Sequence, residues 1–336
     1  MSQCMEKYKN NFAIEFAKVM QKNLPRWKKF QKEHIKALFS DKTMLSMYLF
    51  FFFISFISAL VVQNSFLSYI GVILIIFLLI LNINSENKEY QNCIKTDLFS
   101  ELLKVFDQDI EYGAGGNFYN SLGPVYCSGY IPNSIYNNSM LFNKSVSYDS
   151  PDDTFTGVYN DCPFTILETK VINTIRHIGG KTEDVQLFKG IAMHFKMKKK
   201  IKSRVLIYSK GLLKNKTPEG FEKVEFEYEK FNKKYNVYVQ KTQIEAGGQI
   251  EARYLFNTAF MDRFMQLQTS FRINKLKCSI FGDSMLVLLA TNKDLFEMNH
   301  LLRRIDDIHQ YKHLFDEFAS VLSLLKVLNL SSKTGL

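Results

Sequence analysis

The amino-acid sequence predicts an α+β protein with N-terminal helices and a two-helix transmembrane hairpin, then a cytosolic, mainly antiparallel β domain with helices and a long C-terminal amphipathic helix. Three observations lead to this fold class. Residues 43–85 carry no charged side chain, hydrophobic residues alternate along much of 191–289, and an apolar stripe with helical spacing runs through 301–325. The 46% of apolar residues excludes a collagen-like or wholly disordered chain.

The first segment, residues 1–43, is a basic amphipathic helical segment with ten Lys and Arg side chains against four Asp and Glu. Apolar residues recur at helical spacing from Phe12, and the pattern resumes after Pro25, which we expect to interrupt the helix. Such a segment can lie on anionic headgroups or pack as an ordinary helix on the rest of the chain, and the residues leave both alternatives open.

Residues 44–83 are predicted to form the transmembrane hairpin, with helices over 44–62 and 66–83. About 20 apolar residues span a hydrocarbon core, and each Leu, Ile, Phe or Val favours insertion. Lysines flank the hairpin on both sides, whereas the turn at 63–65 has no Lys or Arg. The positive-inside rule then places both termini in the cytoplasm and makes the lipid bilayer the first expected partner.

Residues 84–298 are predicted to form the cytosolic α+β domain. We expect a third helix over 94–105 and one further helix over 252–267, with strands between and after them. The lysines at 198–200 are expected at the tip of a β-hairpin, and Gly282 and the residue after it are expected to turn a second hairpin.

The densest positive charge of the sequence lies around the first predicted hairpin tip. It comprises Lys196, Lys198, Lys199, Lys200, Lys202 and Arg204. Such a cluster can bind acidic lipid headgroups, although three lysines at a hairpin tip are also an ordinary solvated turn. We do not expect nucleic acid as a partner, because the aromatic signature of an RNA-binding module is missing.

The last segment, residues 299–336, is predicted to be an amphipathic helix with a short tail. Its apolar stripe includes Phe315, Phe318, Leu322 and Leu325, which are the candidate contacts with a protein partner or with a second copy of the chain. The alternative is that the stripe packs on the helix's own domain.

No constellation of catalytic, cofactor-binding or metal-ligating residues is recognisable. The glycines at 113, 115 and 116 lack the Lys-Ser/Thr of a phosphate-binding loop, and His309 and His313 lack the Glu of a zinc-protease helix. The five cysteines are scattered without close pairs, as expected of free thiols. We therefore predict no cofactor and no metal, and we favour a protein that is not an enzyme, while a site assembled from distant residues stays open.

Several short motifs between Tyr148 and Met298 carry a resemblance to a known family. They are Asp152-Asp153-x-Phe155-x-Gly157, Phe188-Lys189-Gly190, Glu251-Ala252-Arg253-Tyr254-Leu255, Phe260-Met261-Asp262-Arg263-Phe264 and Asn292-Lys293-Asp294-Leu295-Phe296-Glu297. With the apolar segments ahead of them, residues 25–298 resemble the bacterial membrane-anchored family known as domain of unknown function 3137. The resemblance implies a bacterial inner-membrane protein without an agreed activity, and it makes the C-terminal helix an addition to the family.

Together these features favour a membrane-anchored interaction or scaffold module whose C-terminal helix contacts a partner. The alternatives are an anionic-lipid-responsive domain that works through the lysine cluster, and an enzyme with an unrecognised site.

Overall fold

The computed structural model describes residues 3–40, 42–60, 65–106, 110–114, 130–159, 161–211, 217–241, 247–293, 295–296, 301 and 303–330. Its helices are α1 (Gln3–Ser40), α2 (Lys42–Leu60), α3 (Ser65–Leu102), the 3-10 helix η1 (Leu103–Phe106), α4 (Asn133–Asn138), α5 (Glu229–Lys234), α6 (Gly247–Leu255), α7 (Thr258–Ser270) and α8 (Ile308–Leu330). Its strands are β1 (Ile110–Ala114), β2 (Tyr148–Tyr159), β3 (Cys162–Arg176), β4 (Thr182–Ser209), β5 (Phe221–Val224), β6 (Tyr235–Gln240) and β7 (Lys275–Ala290).

The strands form a seven-stranded sheet in which every pairing is antiparallel. Its order is β1-β2-β3-β4-β6-β5, and β7 pairs with β4 outside this path. The two long strands β4 and β7 run side by side from the pair Gly190–Ala290 to the pair Tyr208–Lys277. The predicted α+β class with an antiparallel sheet therefore agrees with the structure.

The two hairpins predicted at 198–200 and at Gly282 do not form, because the chain continues through both points within single strands. The register between β4 and β7 instead shifts between Lys196 and Ile201 and again before Val205, as in a strand with bulges. Ala192 and Leu206 belong to one apolar cluster, although a straight strand would hold them about 45 Å apart. The shifts therefore bend β4 strongly.

The apolar cluster draws side chains from several strands of the sheet. β4 contributes Phe188, Ala192 and Leu206, and β7 contributes Leu286 and Leu288. The segment around α4 packs on the same cluster with Ile131, Tyr136, Leu141 and Val146. This segment was predicted to form short strands. Its Asn137 instead exchanges hydrogen bonds with the backbone of Val146, which closes the turn after a short helix.

Helices α5, α6 and α7 bring a second group of buried aromatic side chains together. The rings of Phe226, Phe231, Phe256, Phe260 and Phe264 contact one another at centroid distances of 5.0–6.2 Å. A single helix was predicted over 252–267, but the chain forms two, because Asn257 caps a new helix by accepting a hydrogen bond from the backbone N–H of Phe260 at 2.9 Å.

Two N-terminal helices are longer than the sequence predicts. Pro25 does not end α1, which continues to Ser40, and the predicted third helix over 94–105 is the last part of α3 followed by η1. Many apolar side chains of α1 are buried, including Phe12, Trp27 and Leu38, which favours the alternative that this helix packs on its own chain.

Contacts along the chain define two compact units. The first comprises residues 1–15, 99–296 and 311–336, and the second comprises residues 16–98 and 297–310. Within the second unit, Gln31 of α1 donates hydrogen bonds to the carbonyl groups of Leu301 and Arg303, and His34 lies 2.8 Å from a carboxylate oxygen of Glu86. The segment boundaries predicted at 43, 83 and 298 stay predictions.

The predicted transmembrane hairpin is contradicted. Among the residues that the structure describes, none of the helices combines the length and the apolar character that crossing a membrane requires. The helix α3 leads directly from its apolar residues into Glu86 and Lys88. The same finding contradicts the predicted localisation as a multi-pass inner-membrane protein with cytoplasmic termini.

Candidate anion-binding and apolar surfaces

The six basic residues predicted at a hairpin tip lie instead along the bend of β4, and we call them the basic stripe. Lys196, Lys198, Lys199, Lys200, Lys202 and Arg204 occupy consecutive or alternate positions of this strand. The five lysines are exposed and Arg204 is half-buried. The structure therefore brings the predicted cluster together, but on a bent strand rather than on a turn.

Part of the positive charge of the basic stripe is engaged within the chain. Nζ of Lys198 lies 2.7 Å from a carboxylate oxygen of Asp161. The guanidinium of Arg204 lies 5.5 Å from the ring centre of Phe281 and 2.7 Å from Sδ of Met140, and burial lowers its pKa. Arg204 thus anchors the stripe to the sheet, and the exposed lysines remain the residues that can meet an anionic surface.

A histidine near the stripe illustrates why this region is poorly suited to acid–base chemistry. His194 accepts or donates one hydrogen bond, at 3.2 Å, with the hydroxyl of Ser284. Burial lowers its pKa to about 4, and the positive charge of Lys196 acts in the same direction, although Asp283 opposes both. The imidazole is therefore neutral near pH 7, and it lies too deep to serve as a proton donor to a surface ligand.

Sequence reasoning missed a second group of basic residues, which lines an open cavity of about 500 Å³ beside the ends of β4 and β7. We call it the basic cavity. Its cationic lining residues are Lys189, Arg272, Lys275, Lys277 and Lys293. The described lining contains no acidic residue, and apolar side chains of Phe188, Ile273 and Leu288 form part of the wall. An adjoining cavity of about 430 Å³ shares Arg272 and adds Lys210 and Lys234.

Two backbone features shape the basic cavity. Gly190 has φ = 140°, and a Cβ at this position would meet the carbonyl oxygen of Leu289 at 2.1 Å, so only glycine lets β4 approach β7 this closely. The backbone N–H of Thr291 then donates to the carbonyl of Lys189 at 3.1 Å and links the residue after β7 to β4. Lys189 and Lys293 are thereby brought to the same wall although they lie far apart in sequence.

Arg272 sits in the left-handed region, with φ = 51°, directly after the C-terminal end of α7. Its backbone N–H donates to Thr269 and that of Ile273 donates to Gln268, which is the Schellman pattern of helix termination. Glycine is the usual residue at this position, because a Cβ there costs roughly 1 kcal/mol. The chain thus carries an arginine side chain at the mouth of a cavity at the expense of stability.

Lys277 is the most enclosed cation of the basic cavity. It is half-buried, its Nζ lies 3.5 Å from the carbonyl oxygen of Leu141, and burial lowers its pKa. No acidic side chain forms an ion pair with Lys189, Arg272, Lys275, Lys277 or Lys293 within the described part of the chain. A sequence signal did exist, since Arg272 lies just before β7 and Lys275 and Lys277 lie within its first three residues. The other two cations, Lys189 and Lys293, are distant in sequence from this run and from each other.

The four residues predicted to contact a partner, Phe315, Phe318, Leu322 and Leu325, are all buried in α8. The ring centre of Phe315 lies 4.5 Å from that of Phe12 and 5.0 Å from that of Phe106, and Phe318 lies 4.6 Å from Phe155. This burial favours the alternative that the stripe packs within its own chain, because a partner could reach these rings only after the helix had left its place.

Apolar side chains are exposed on α2 and α3 instead. In α2 they include Leu49, Phe50, Phe52, Phe53 and Phe56, and in α3 they include Ile73, Ile76 and Phe77. They point in several directions around α2, so the exposure is not confined to one stripe. We call these side chains the apolar helix surface, and exposure on this scale marks an interaction surface.

Among the residues that the structure describes, those considered for nucleophilic or metal chemistry are not arranged for it. Cys162 and Cys278 are unpaired and buried, and burial raises the pKa of Cys162 to about 11, which disfavours the reactive thiolate. His313 pairs with Glu317 at 2.8 Å rather than with His309. Among the described residues, no three His, Cys, Asp or Glu side chains are grouped as a metal site would need.

Comparison with known proteins gives one match. Residues 186–330 match the model of a family described as a protein of unknown function, DUF3137. The match confirms the predicted resemblance to domain of unknown function 3137, but not the membrane anchoring or the bacterial origin that the resemblance implied. It begins later than residue 25 and includes α8, so the C-terminal helix is not an addition to the family. No curated protein and no solved structure matches the chain.

Proposed function

We propose that this protein is a non-catalytic interaction module that associates with a second copy of itself through the apolar helix surface. The observation that carries the proposal is the exposure of large apolar side chains on both α2 and α3. Monomeric proteins rarely leave a contiguous apolar surface of this kind in water, because covering each side chain is worth about 1.5–3 kcal/mol.

The chemistry of the surface argues for a second copy as the occupant. The described side chains of α2, over 45–57, include no charged residue, and neither do those of α3 between Tyr69 and Leu81. Whatever covers either helix must be apolar over the same length, and the chain itself supplies two such helices. A two-fold dimer would let each copy cover the other with the same surface, which is the commonest arrangement of homo-oligomers.

Sedimentation of the full-length chain tests the proposal. In buffer without detergent we expect a discrete species at a multiple of 39.2 kDa. Replacing Phe52, Phe53 and Phe56 by Ser should shift the mass toward the monomer, because these rings are exposed. Replacing Lys198, Lys199 and Lys200 by Gln is the control and should leave the mass unchanged. A broad distribution of masses, an unchanged mass in the Phe variant, or uptake of single copies by neutral lipid vesicles would contradict the proposal.

A second function is favoured by the basic stripe, namely binding to an anionic lipid surface. Each basic side chain near such a surface contributes about 1 kcal/mol, and the effect decays within a Debye length of about 8–10 Å. Lys199 and Lys200 are consecutive residues at the bend of β4, and both are exposed to solvent. The net charge of +10 adds a general attraction to anionic surfaces.

Flotation of the full-length chain with vesicles tests this second function. We expect more protein with vesicles that contain phosphatidylglycerol than with neutral vesicles, and release as salt rises. Replacing Lys198, Lys199 and Lys200 by Gln should abolish the difference. Replacing Lys144, Lys170 and Lys181 by Gln removes the same amount of charge at exposed positions elsewhere. This control variant should still bind anionic vesicles better than neutral ones. If the two variants lose equal amounts of vesicle binding, the binding depends only on net charge, and the proposal that the basic stripe is the binding surface is wrong.

A further inference from the structure

We propose that the basic cavity binds a compact phosphate-bearing ligand that carries two or more negative charges. Five cationic residues from three separate parts of the chain, 189, 272–277 and 293, converge on one cavity with no acidic residue in its described lining. Convergence from distant segments distinguishes this arrangement from a run of lysines on a solvated surface. The inference is independent of self-association and of the basic stripe.

The size and lining of the basic cavity match those of small-molecule sites. Its volume of about 500 Å³ falls within the range of about 300–1,000 Å³ that such sites occupy. The apolar wall, formed by Phe188, Ile273 and Leu288, can hold the organic part of the ligand, while the cations surround its charged part. All described lining residues lie within the segment that matches the family.

The donors of the basic cavity suit phosphate better than a single carboxylate. Arg272 offers a planar group that can donate two parallel hydrogen bonds to phosphate oxygens, and the lysines act as point charges around it. Five cations would be excessive for one negative charge, whereas a diphosphate can neutralise several of them. Lys277, half-buried and without an acidic partner among the described residues, is the cation that gains most from a bound anion.

The backbone at Arg272 supplies independent support. This position favours glycine, yet it holds an arginine that lines both the basic cavity and the adjoining one. A residue kept in an unfavourable conformation at the edge of a cavity indicates a role for its side chain in binding.

Titration calorimetry of the full-length chain with inorganic pyrophosphate and with adenosine diphosphate tests the proposal. We expect saturable binding of at least one probe, weakened by rising salt. Replacing Arg272 by Gly should weaken binding at least tenfold while the protein melts no lower than the wild type, because glycine suits this backbone. Replacing Lys275 by Gln, on an exposed position, should also weaken binding.

The basic stripe provides the matched control and separates two sources of phosphate. Replacing Lys198, Lys199 and Lys200 by Gln should reduce binding to anionic vesicles and leave pyrophosphate binding unchanged, whereas Arg272→Gly should do the reverse. Loss of vesicle binding in Arg272→Gly without loss of pyrophosphate binding would overturn the assignment of a soluble ligand. The absence of saturable binding for both probes, or equal binding by Arg272→Gly and the wild type, would overturn the site itself.

Discussion

Helices α8 and α2 are both rich in apolar residues, yet the chain covers one of them and exposes the other. Every residue from Glu317 to Leu325 in α8 is buried, whereas Phe50, Phe52 and Phe53 of α2 are exposed. The covered helix even includes a carboxylate, Glu317, and the exposed one has no charge among its described side chains. Apolar content therefore shows that a helix needs covering, but it does not show what covers it.

The largest expected effect on stability comes from a substitution in the buried helix α8, and it distinguishes this helix from the exposed helix α2. Phe318 is 2% exposed and contacts the rings of Phe106, Phe155 and Phe296, so Phe318→Ala should empty a packed site and lower the free energy of unfolding by about 3–5 kcal/mol. Chemical denaturation of the full-length protein measures the loss. A change below about 1 kcal/mol would mean that α8 is not held in the core and would restore it as a surface for partners.

The charged groups around α8 should make its stability depend on pH. Burial raises the pKa of Glu317, against the opposing effects of His313 and Arg272, and the hydrogen bond to Glu317 raises the pKa of His313. Asp316 raises both values further. A group whose pKa is higher in the folded than in the unfolded protein stabilises the fold at low pH, and this contribution is lost as pH rises.

We therefore expect the free energy of unfolding to fall as pH rises, first above the ordinary pKa of 4.5 for Glu317 and then above 6.5 for His313. Each group can contribute a slope of at most about 1.4 kcal/mol per pH unit. Glu317→Gln should flatten both parts of the curve, since His313 then loses its charged partner. A curve that rises through this range in the wild type, or one that Glu317→Gln leaves unchanged, would show that this pair does not govern it.

Substitutions of Arg272 test whether the residue at this position, whose charge acts on the covered helix α8, is the one that gives the greatest stability. Its charge acts on Glu317 of α8, but its backbone has positive φ. Arg272→Gly should raise the free energy of unfolding by about 1 kcal/mol, because it relieves the left-handed conformation. Arg272→Ala removes the same charge and keeps the Cβ, so it should show no gain. Equal stabilities of the Gly and Ala variants would mean that the backbone at this position carries no strain.

The comparison also explains which features the sequence could predict. Alternation of apolar residues identified the strand-forming regions, because each strand of an antiparallel sheet buries one face. The position of the lysines was predicted wrongly, because three consecutive lysines are typical of a turn. In the structure they lie within β4, where the strand bends and its register with β7 shifts. Asn257 likewise divides one predicted helix into two through a cap that the apolar pattern does not reveal.

The basic cavity could not be predicted because its residues are brought together only by the tertiary fold. Lys189 and Lys293 reach the same wall through the pairing of β4 with β7, and that pairing depends on Gly190. The apolar character of α2 and α3 was read correctly from the sequence, but the membrane span inferred from it is contradicted. Local sequence patterns thus show whether a segment is apolar or basic, whereas long-range contacts determine which residues surround it in the fold.

The smallest expected effect on stability comes from the exposed helix. Phe53 is 64% exposed, so Phe53→Ala removes little buried area and should change the free energy of unfolding by less than about 0.5 kcal/mol. The measurement is best made in a non-ionic detergent that covers the apolar helix surface of both proteins, so that self-association does not contribute. In buffer without detergent the same substitution should weaken self-association. A loss of several kcal/mol in detergent would mean that Phe53 is packed inside its own chain, and the contrast between α2 and α8 would then disappear.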